Sequence, residues 1–114
     1  MDTKEFLTKF QNDLEKMKFQ ANATLNGFAG LFTKTMAEGV LTIKQKELIT
    51  MGIAVAKQCE PCIKLHAKKC LDAGATREEV LEAAGVAVMM GGGPAYTHIP
   101  MVMESLDELE NYLI

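Results

Sequence analysis

Helix start signals recur along this chain, and they constrain its fold more than any other feature of the sequence. Asp2, Thr42 and Thr76 are each followed three residues later by Glu or Gln, which is the spacing of a helix capping box. Apolar residues then recur every three or four positions, the period of one helix face. No segment alternates convincingly between apolar and polar residues. We therefore predict an all-α fold of about six helices.

Glycine and proline set the predicted helix boundaries. In chain order we expect helices from Asp2 through Ala21, from Leu25 to a closing Gly39, from Thr42 to Pro61, from Pro61 to a closing Gly74, from Thr76 to the glycines at 91–93, and from Ala95 to Leu113. The residue before a proline avoids the helical region, and proline suits the first helical position. Pro100 either kinks the last helix or marks its true start. The helix after Thr42 is apolar on most sides, so we expect it to be central. We expect the helix after Thr76 to be almost wholly buried.

Length and charge narrow the class of protein. At 114 residues the chain has a common size for one domain, so we treat 1–114 as a single domain. The net charge is −3 and the pI is near 5.4. These values argue against a nucleic-acid-binding protein, which needs a basic patch. The longest apolar run, 83–90, is too short to span a bilayer, and the charged start is unlike a signal peptide. We predict a cytoplasmic protein without nucleic-acid or membrane partners.

Apolar residues make up 48% of the chain. Small domains bury their apolar surface inefficiently, so we expect part of it to contact other subunits. Nothing in the sequence calls for a cofactor.

The residues with distinctive chemistry are concentrated between Glu47 and Cys70. All three cysteines lie there, with Cys59 and Cys62 in a C-x-x-C pair, and His66 follows Cys62 by four positions. Positions four apart share a helix face, so Cys62 and His66 can touch. In a reducing cytosol such a pair is more often redox-active or metal-binding than a structural crosslink.

Both paired cysteines lie at or just before the predicted helix start at Pro61. Free backbone N–H groups and the positive end of the helix dipole favour a thiolate there, and His66 adds a proton acceptor or a stabilising charge. Glu47 is our candidate for the group that orients the imidazole, because a carboxylate is costly to bury without a partner. A solvated place in the first helical turn would explain Glu47 equally well. An ideal antiparallel helix pair puts Glu47 nearer residues 69–71 than His66, so direct contact would need crossed helices, a bridging water or a neighbouring subunit.

Metal binding is an alternative for the same residues. Cys59, Cys62 and His66 could hold zinc. A four-ligand site that includes Cys70 would have to gather ligands spread over about 15 Å of one helix to within roughly 2.3 Å of the metal. Cys70 is therefore expected to be a small buried side chain. His98 could reach the site from this or another subunit.

Several segments together resemble the carboxymuconolactone decarboxylase family, in its alkylhydroperoxidase D-like branch. They are GVLTIKQKELI at 39–49, the C-x-x-C with its histidine at 59–66, and the GAT, EV and GGGPA strings between 74 and 95. The most specific part is E-x11-C-x2-C-x3-H, which Glu47, Cys59, Cys62 and His66 satisfy. The resemblance covers roughly residues 25–105.

This resemblance implies an all-helical oligomer, a hexamer or a trimer, that acts as a thiol-dependent peroxidase or disulfide oxidoreductase. Its substrate would be a small peroxide or disulfide, and the sequence does not identify the electron donor. The resemblance implies that Cys62 is oxidised to sulfenic acid, that Cys59 resolves it, and that His66 and Glu47 form the proton relay. Helix-end electrostatics alone would favour Cys59, whereas the His66 spacing favours Cys62. Pro61 stands where alkylhydroperoxidase D proteins have a second histidine.

Two further hypotheses come from other classes of protein. One is a zinc-binding or purely structural helical oligomer. The other is an enzyme of the same fold that acts on a lactone or another carbonyl compound, with Glu47 and His66 as general base and acid. The decarboxylase members of the resembling family lack the cysteine pair, which argues against lactone decarboxylation.

Overall fold

Seven helices make up the fold of the residues that the structure, a computed structural model, describes, namely 1–20 and 22–110. They are α1 (Thr3–Gln20), α2 (Ala23–Met36), α3 (Ile43–Ala56), α4 (Glu60–Asp72), α5 (Arg77–Gly91), α6 (Gly93–Tyr96) and α7 (Ile99–Glu110). No strand occurs in this part of the chain, and α6 is a single turn, so the predicted all-α class is confirmed. The helix ends predicted at Ala21 and Leu113 fall outside the described residues.

The predicted capping motifs begin three of the helices. Thr42 accepts a hydrogen bond from the Gln45 N–H, and the Gln45 side chain accepts one from the Thr42 N–H in return. Thr76 and Glu79 make the same reciprocal pair at the start of α5, and Asp2 accepts from the N–H three residues later. These caps satisfy N–H groups that a helix leaves unpaired, each typically worth about 1 kcal/mol. They fix where α1, α3 and α5 start.

Gly74 ends α4 as predicted. Its φ of +92° is in the left-handed region, which glycine adopts without a steric penalty. The N–H of Gly74 binds the Leu71 carbonyl, and the N–H of Ala75 binds the Cys70 carbonyl, which is the hydrogen-bond pattern of a Schellman motif. The chain therefore turns directly from α4 into the cap of α5.

Gly39 does not close α2, so this prediction is wrong. The helix ends at Met36, and Ala37 is already extended. Instead, the Lys46 ammonium from α3 donates to the carbonyls of Thr35 and Ala37 at 2.8 and 2.6 Å. Lys46 thus binds carbonyls at the end of α2. In a helix that ends at a glycine, backbone N–H groups at and after the glycine bind such carbonyls instead.

The core is built around α3, which packs against both α4 and α5, and its predicted central position is confirmed. Its buried residues are Glu47, Met51, Ala54 and Val55. Fully buried side chains from four other helices or their connections complete the core, among them Ile63, Ala67, Val80, Ala84, Val102 and Leu106.

The prediction that α5 is almost wholly buried is wrong for the single chain. Only one face of α5 lies in the core, while Val86, Met89 and Met90 are 60%, 72% and 79% exposed. Ile49 and Ile53 of α3 are half exposed and border the same shallow groove as Val86 and Met90. We call this the α3–α5 apolar face. Apolar periodicity identifies the apolar positions of a helix but does not show whether they lie in the core or on such an exposed face.

The last predicted helix is divided in two. Gly92, with φ +70°, separates α5 from the single turn α6, and α7 starts only at Ile99. Pro100 is the second residue of α7, where its missing N–H leaves no helical bond unmade. It therefore marks the true start of the helix, which was one of the two predicted outcomes. No helix of the described ranges has the length and apolar character needed to cross a membrane.

Candidate redox site

The two cysteines of the C-x-x-C pair form a disulfide at the start of α4, with an S–S distance of 2.06 Å. Cys59 is the N-cap residue of α4, and its sulfur accepts a hydrogen bond from the Cys62 N–H at 3.3 Å. The helix begins at Glu60, one residue before the predicted start, and Pro61 lies in its first turn. The helix N-terminus thus points an N–H group at the Cys59 sulfur, an arrangement that favours thiolate in the reduced protein.

The connection between α3 and α4 is unusually short because Cys59 serves both helices. Its N–H donates to the Ala54 carbonyl and closes α3, while its sulfur caps α4. Gln58, between them, adopts the left-handed region with φ 56°, a conformation that costs a non-glycine residue roughly 1 kcal/mol or more. The tight turn holds the disulfide at the junction of the two helices. This turn is not evident from the sequence, because glycine or asparagine usually marks a left-handed residue.

His66 and Glu47 form a direct, buried pair. His66 Nδ1 lies 2.7 Å from Glu47 Oε1, and the two side chains are 7% and 6% exposed. The contact lies within one chain, without a bridging water or a second subunit. The Cys70 thiol donates to the Glu47 carbonyl at 3.3 Å, so the backbone of Glu47 does lie level with Cys70, as an ideal helix pair requires. The glutamate side chain spans the remaining distance to His66.

The carboxylate determines which nitrogen of His66 carries hydrogen. An ionised carboxylate only accepts hydrogen bonds, so Nδ1 is the donor and Nε2 of the neutral ring is an acceptor. Nε2 has no hydrogen-bond partner among residues 1–20 and 22–110. His66 follows Cys62 by one helical turn in α4. The His66 side chain, which carries Nε2, and the Cys62 side chain therefore lie on the same face of the helix.

Two further side chains shape the surroundings of the pair. The Phe32 ring of α2 lies 6.2 Å from the His66 ring, and the Lys69 ammonium lies 5.3 Å from the Phe32 ring centroid. Burial, followed by the negative charge of Glu47, raises the pKa of the Cys70 thiol to about 12. Cys70 is a small buried side chain, as predicted. Phe32 was identified from sequence only as a residue of an apolar helix face.

The remaining candidates are arranged differently. His98 Nδ1 lies 2.8 Å from the Pro94 carbonyl and so helps to form the turn between α6 and α7. A zinc site on Cys59, Cys62 and His66 requires two free thiolates, whereas these two sulfurs are bonded to each other. The described part of the chain has no group of three or more Cys, His, Asp or Glu side chains positioned to hold a metal.

The chain is similar in sequence to one protein family and to individual bacterial proteins. The model of the carboxymuconolactone decarboxylase family matches residues 22–101. An uncharacterized protein of Cupriavidus necator is 30% identical over 108 residues, which is 95% of this chain and 96% of that protein. "Uncharacterized protein 4 in cox locus" of Paracoccus denitrificans is 36% identical over 92 residues, 80% of this chain and 83% of that protein.

Two crystal structures extend the comparison to the fold. A carboxymuconolactone decarboxylase family protein of Legionella pneumophila, in its apo form, superimposes with a TM-score of 0.86 and 37% identity, covering 93% of this chain and 95% of its own. A Thermotoga maritima protein of the same family gives a TM-score of 0.87 and 26% identity, covering 96% and 92%. The Thermotoga protein is described as a candidate for involvement in an antioxidative response.

Proposed function

The chain belongs to the carboxymuconolactone decarboxylase family, and on that premise we propose that it is a thiol-dependent peroxidase or disulfide oxidoreductase. The observation that carries the proposal is a disulfide at the start of α4 with the buried His66–Glu47 pair one turn further along. The antioxidative response suggested for the Thermotoga maritima relative supports the same class of reaction. The substrate would be a small peroxide or disulfide.

The proposed cycle starts with the reduced pair. Nε2 of His66 accepts the proton of the Cys62 thiol, and Glu47 stabilises the positive charge that develops on the imidazole. The Cys62 thiolate attacks the terminal oxygen of the peroxide, the O–O bond breaks, and the leaving alkoxide takes up a proton. Cys62 is then a sulfenic acid, oxidised by two electrons.

Cys59 completes the oxidative half of the cycle. Its sulfur attacks the Cys62 sulfenic acid, the S–O bond breaks, a water molecule leaves, and the disulfide forms. A dithiol donor then supplies the two electrons and two protons that regenerate both thiols. With a disulfide substrate, Cys62 forms a mixed disulfide that Cys59 resolves in the same way.

The two cysteines have different surroundings, which support different roles. Cys62 lies one turn from His66 in α4 and can lose a proton to it. The Cys62 N–H and the helix end also favour a thiolate at Cys59, but they only stabilise the charge, whereas His66 can take up the proton. We therefore assign Cys62 as the attacking and Cys59 as the resolving residue.

Counting thiols before and after peroxide treatment tests the assignment. Reduced wild-type protein should lose two titratable thiols under denaturing conditions after treatment, and Cys70→Ala should lose the same two. Cys59→Ser should stop at a sulfenic acid, which a dimedone-type reagent traps. Cys62→Ser should not consume peroxide; normal consumption by this variant refutes the assigned role.

A second candidate function is supported by the His66–Glu47 contact itself, which involves neither Cys59 nor Cys62. In that case the pair would act as general base and acid on a lactone or another carbonyl compound. A double variant, Cys59→Ser with Cys62→Ser, distinguishes the two. Turnover of a lactone by this variant, with no peroxide consumption by the wild type, would favour the second function. Absence of both activities would leave a structural helical protein.

We also propose that the protein is a cytoplasmic homo-oligomer, a trimer or a hexamer, assembled through the α3–α5 apolar face. Ile49, Ile53 and Val86 are each at least half exposed on this face, and exposed apolar patches commonly mark interfaces. Val86→Glu should shift the mass measured by light scattering towards the monomer, while Glu82→Gln on an exposed position of α5 should not. A wild-type protein that is already monomeric refutes the proposal.

A further inference from the structure

Phe32 is the side chain through which α2 reaches the candidate redox site. No residue of α2 is buried, and only Phe32 and Met36 of this helix are half-buried, while its other residues are exposed. Met36 lies against α3, with its sulfur 3.9 Å from the Thr50 hydroxyl. Phe32 instead packs against side chains of α4, so the two half-buried residues attach α2 to two different helices.

The Phe32 ring contacts two side chains of α4. Its centroid lies 6.2 Å from that of the His66 ring, with 31° between the two planes, which is within the range of aromatic pairs. The Lys69 ammonium lies 5.3 Å from the Phe32 centroid, close enough for a cation–π attraction. His66 and Lys69 are three residues apart, so they are neighbours on the surface of α4. One ring therefore contacts both the imidazole of the site and the lysine beside it.

Lys69 is bound to this ring although a buried carboxylate is within reach of its long, flexible side chain. Lys69 and Glu47 line the same opening, a cavity of about 500 Å³. Cys70, the residue after Lys69, donates from its thiol to the Glu47 carbonyl at 3.3 Å. Yet among residues 1–20 and 22–110 no carboxylate lies within ion-pair distance of the Lys69 ammonium. The cation is thus held on an aromatic ring and not on an acid.

The other acids around this opening attract Lys69 less than Glu47 does. Asp72 is bound to the Lys68 ammonium at 2.6 Å, and Glu38 is exposed, so water screens its charge. The side chain of Glu47 is only 6% exposed, and the attraction between charges grows as water is excluded. An ammonium released from the aromatic ring is therefore drawn towards Glu47.

We propose that Phe32 is a positioning residue of the redox site, because its ring holds the Lys69 ammonium away from Glu47 and so leaves the carboxylate to His66. The inference rests on the proposed thiol chemistry, in which the charge of Glu47 stabilises the imidazolium. An ammonium bound to the same carboxylate would offset that charge and would itself repel a positive imidazole. Phe32 therefore acts on the relay through Lys69.

Substitutions in α2 and α4 test the proposal. Phe32→Leu removes the ring but keeps an apolar side chain. Phe28→Leu makes the same change one turn earlier, at a position that is 63% exposed, and is the matched control. Lys69→Met removes the ammonium and is made both alone and together with Phe32→Leu. The readout is the Nδ1 proton of His66, whose chemical shift and exchange with water are measured by NMR on oxidised protein labelled with ¹⁵N in the imidazole rings.

We expect Phe32→Leu to move the Nδ1 proton signal upfield, because a carboxylate shared with an ammonium binds this proton less strongly. Its exchange with water should become about tenfold faster, equivalent to about 1.4 kcal/mol. Phe28→Leu, Lys69→Met and the double variant should match the wild type. Phe32→Met, a second replacement without a ring, must give the same result as Phe32→Leu and serves in its place if that variant does not fold.

Three results overturn the proposal. Exchange at the wild-type rate in folded Phe32→Leu would show that the ring does not protect the contact. Equally fast exchange in Phe32→Leu and in the double variant would show that the ring only covers the imidazole, without acting through Lys69. Fast exchange in Lys69→Met alone would show that the ammonium supports the contact and does not compete with it.

Peroxide consumption is measured separately. The expected exchange rates in a protein that consumes no peroxide would reject the peroxidase proposal but keep the role of Phe32 in the His66–Glu47 contact. Unchanged exchange in Phe32→Leu, with normal peroxide consumption by the wild type, would do the opposite. If both proposals hold, Phe32→Leu should also slow the single-turnover oxidation of Cys62, and the addition of Lys69→Met should restore it.

Discussion

Replacing Glu47 by glutamine tests the relay more sharply than any other single change. Glu47→Gln keeps the size of the side chain but removes the charge that faces His66 at 2.7 Å. A hydrogen bond to a charged partner contributes about 1.5–3 kcal/mol, and the pair is only 6–7% exposed, so water screens it little. If that energy stabilises the imidazolium during proton transfer, its loss slows the reaction of Cys62 by roughly ten- to a hundredfold.

The assay is the rate of alkylation of reduced protein by iodoacetamide, followed across the neutral pH range, together with single-turnover oxidation by peroxide. Glu82→Gln, an exposed residue of α5, controls for a general loss of negative charge. Urea denaturation separates lost reactivity from lost stability. Equal alkylation and oxidation rates in Glu47→Gln and wild type would show that the buried carboxylate has no part in activating the sulfur.

Three further predictions concern stability. The pKa of Cys70 is raised to about 12, whereas an unfolded thiol titrates near pH 8.5. Only the unfolded state therefore loses this proton between about pH 9 and 12, so the free energy of unfolding of the oxidised protein should fall by about 1.4 kcal/mol per pH unit there. Cys70→Ala should lack that component when urea denaturation is compared at neutral pH and near pH 10. Gln58→Gly should raise the free energy of unfolding by up to about 1 kcal/mol by relieving the left-handed strain, while Gln58→Ala, which keeps the strain, should not. Thr76→Ala should lower it by about 1 kcal/mol through loss of the cap, and Thr33→Ala, at an exposed position in the last turn of α2, should change it little.

Local signals in the sequence predicted the helix starts well. Thr42 and Thr76 determine their caps through residues only three positions away, so the motif contains nearly all the interacting atoms. The end of α2 was mispredicted because Lys46, eleven residues beyond Thr35, provides the closing hydrogen bonds. Such a contact depends on how α2 and α3 pack, which no local pattern encodes.

The candidate site was predictable in its members but not in its geometry. Spacing alone grouped Cys62 with His66, because both lie on one face of one helix. The contact between Glu47 and His66 depends on the reach of a side chain between two helices, and Phe32 comes from a third helix without any chemical signature. The exposed side of α5, with Val86 at its centre, illustrates a further limit: an apolar period is the same whether the partner is the chain's own core or another surface.

The structural role of Cys59 at the α3–α4 junction does not depend on the reactivity of its thiol. The backbone N–H that closes α3 belongs to any residue except proline, and serine or aspartate caps a helix at least as well as a sulfur does. A lineage could therefore lose or acquire the reactive pair by single substitutions while the scaffold around it stays folded. One helical framework is in this way open both to redox enzymes and to relatives that keep only the buried acid and imidazole.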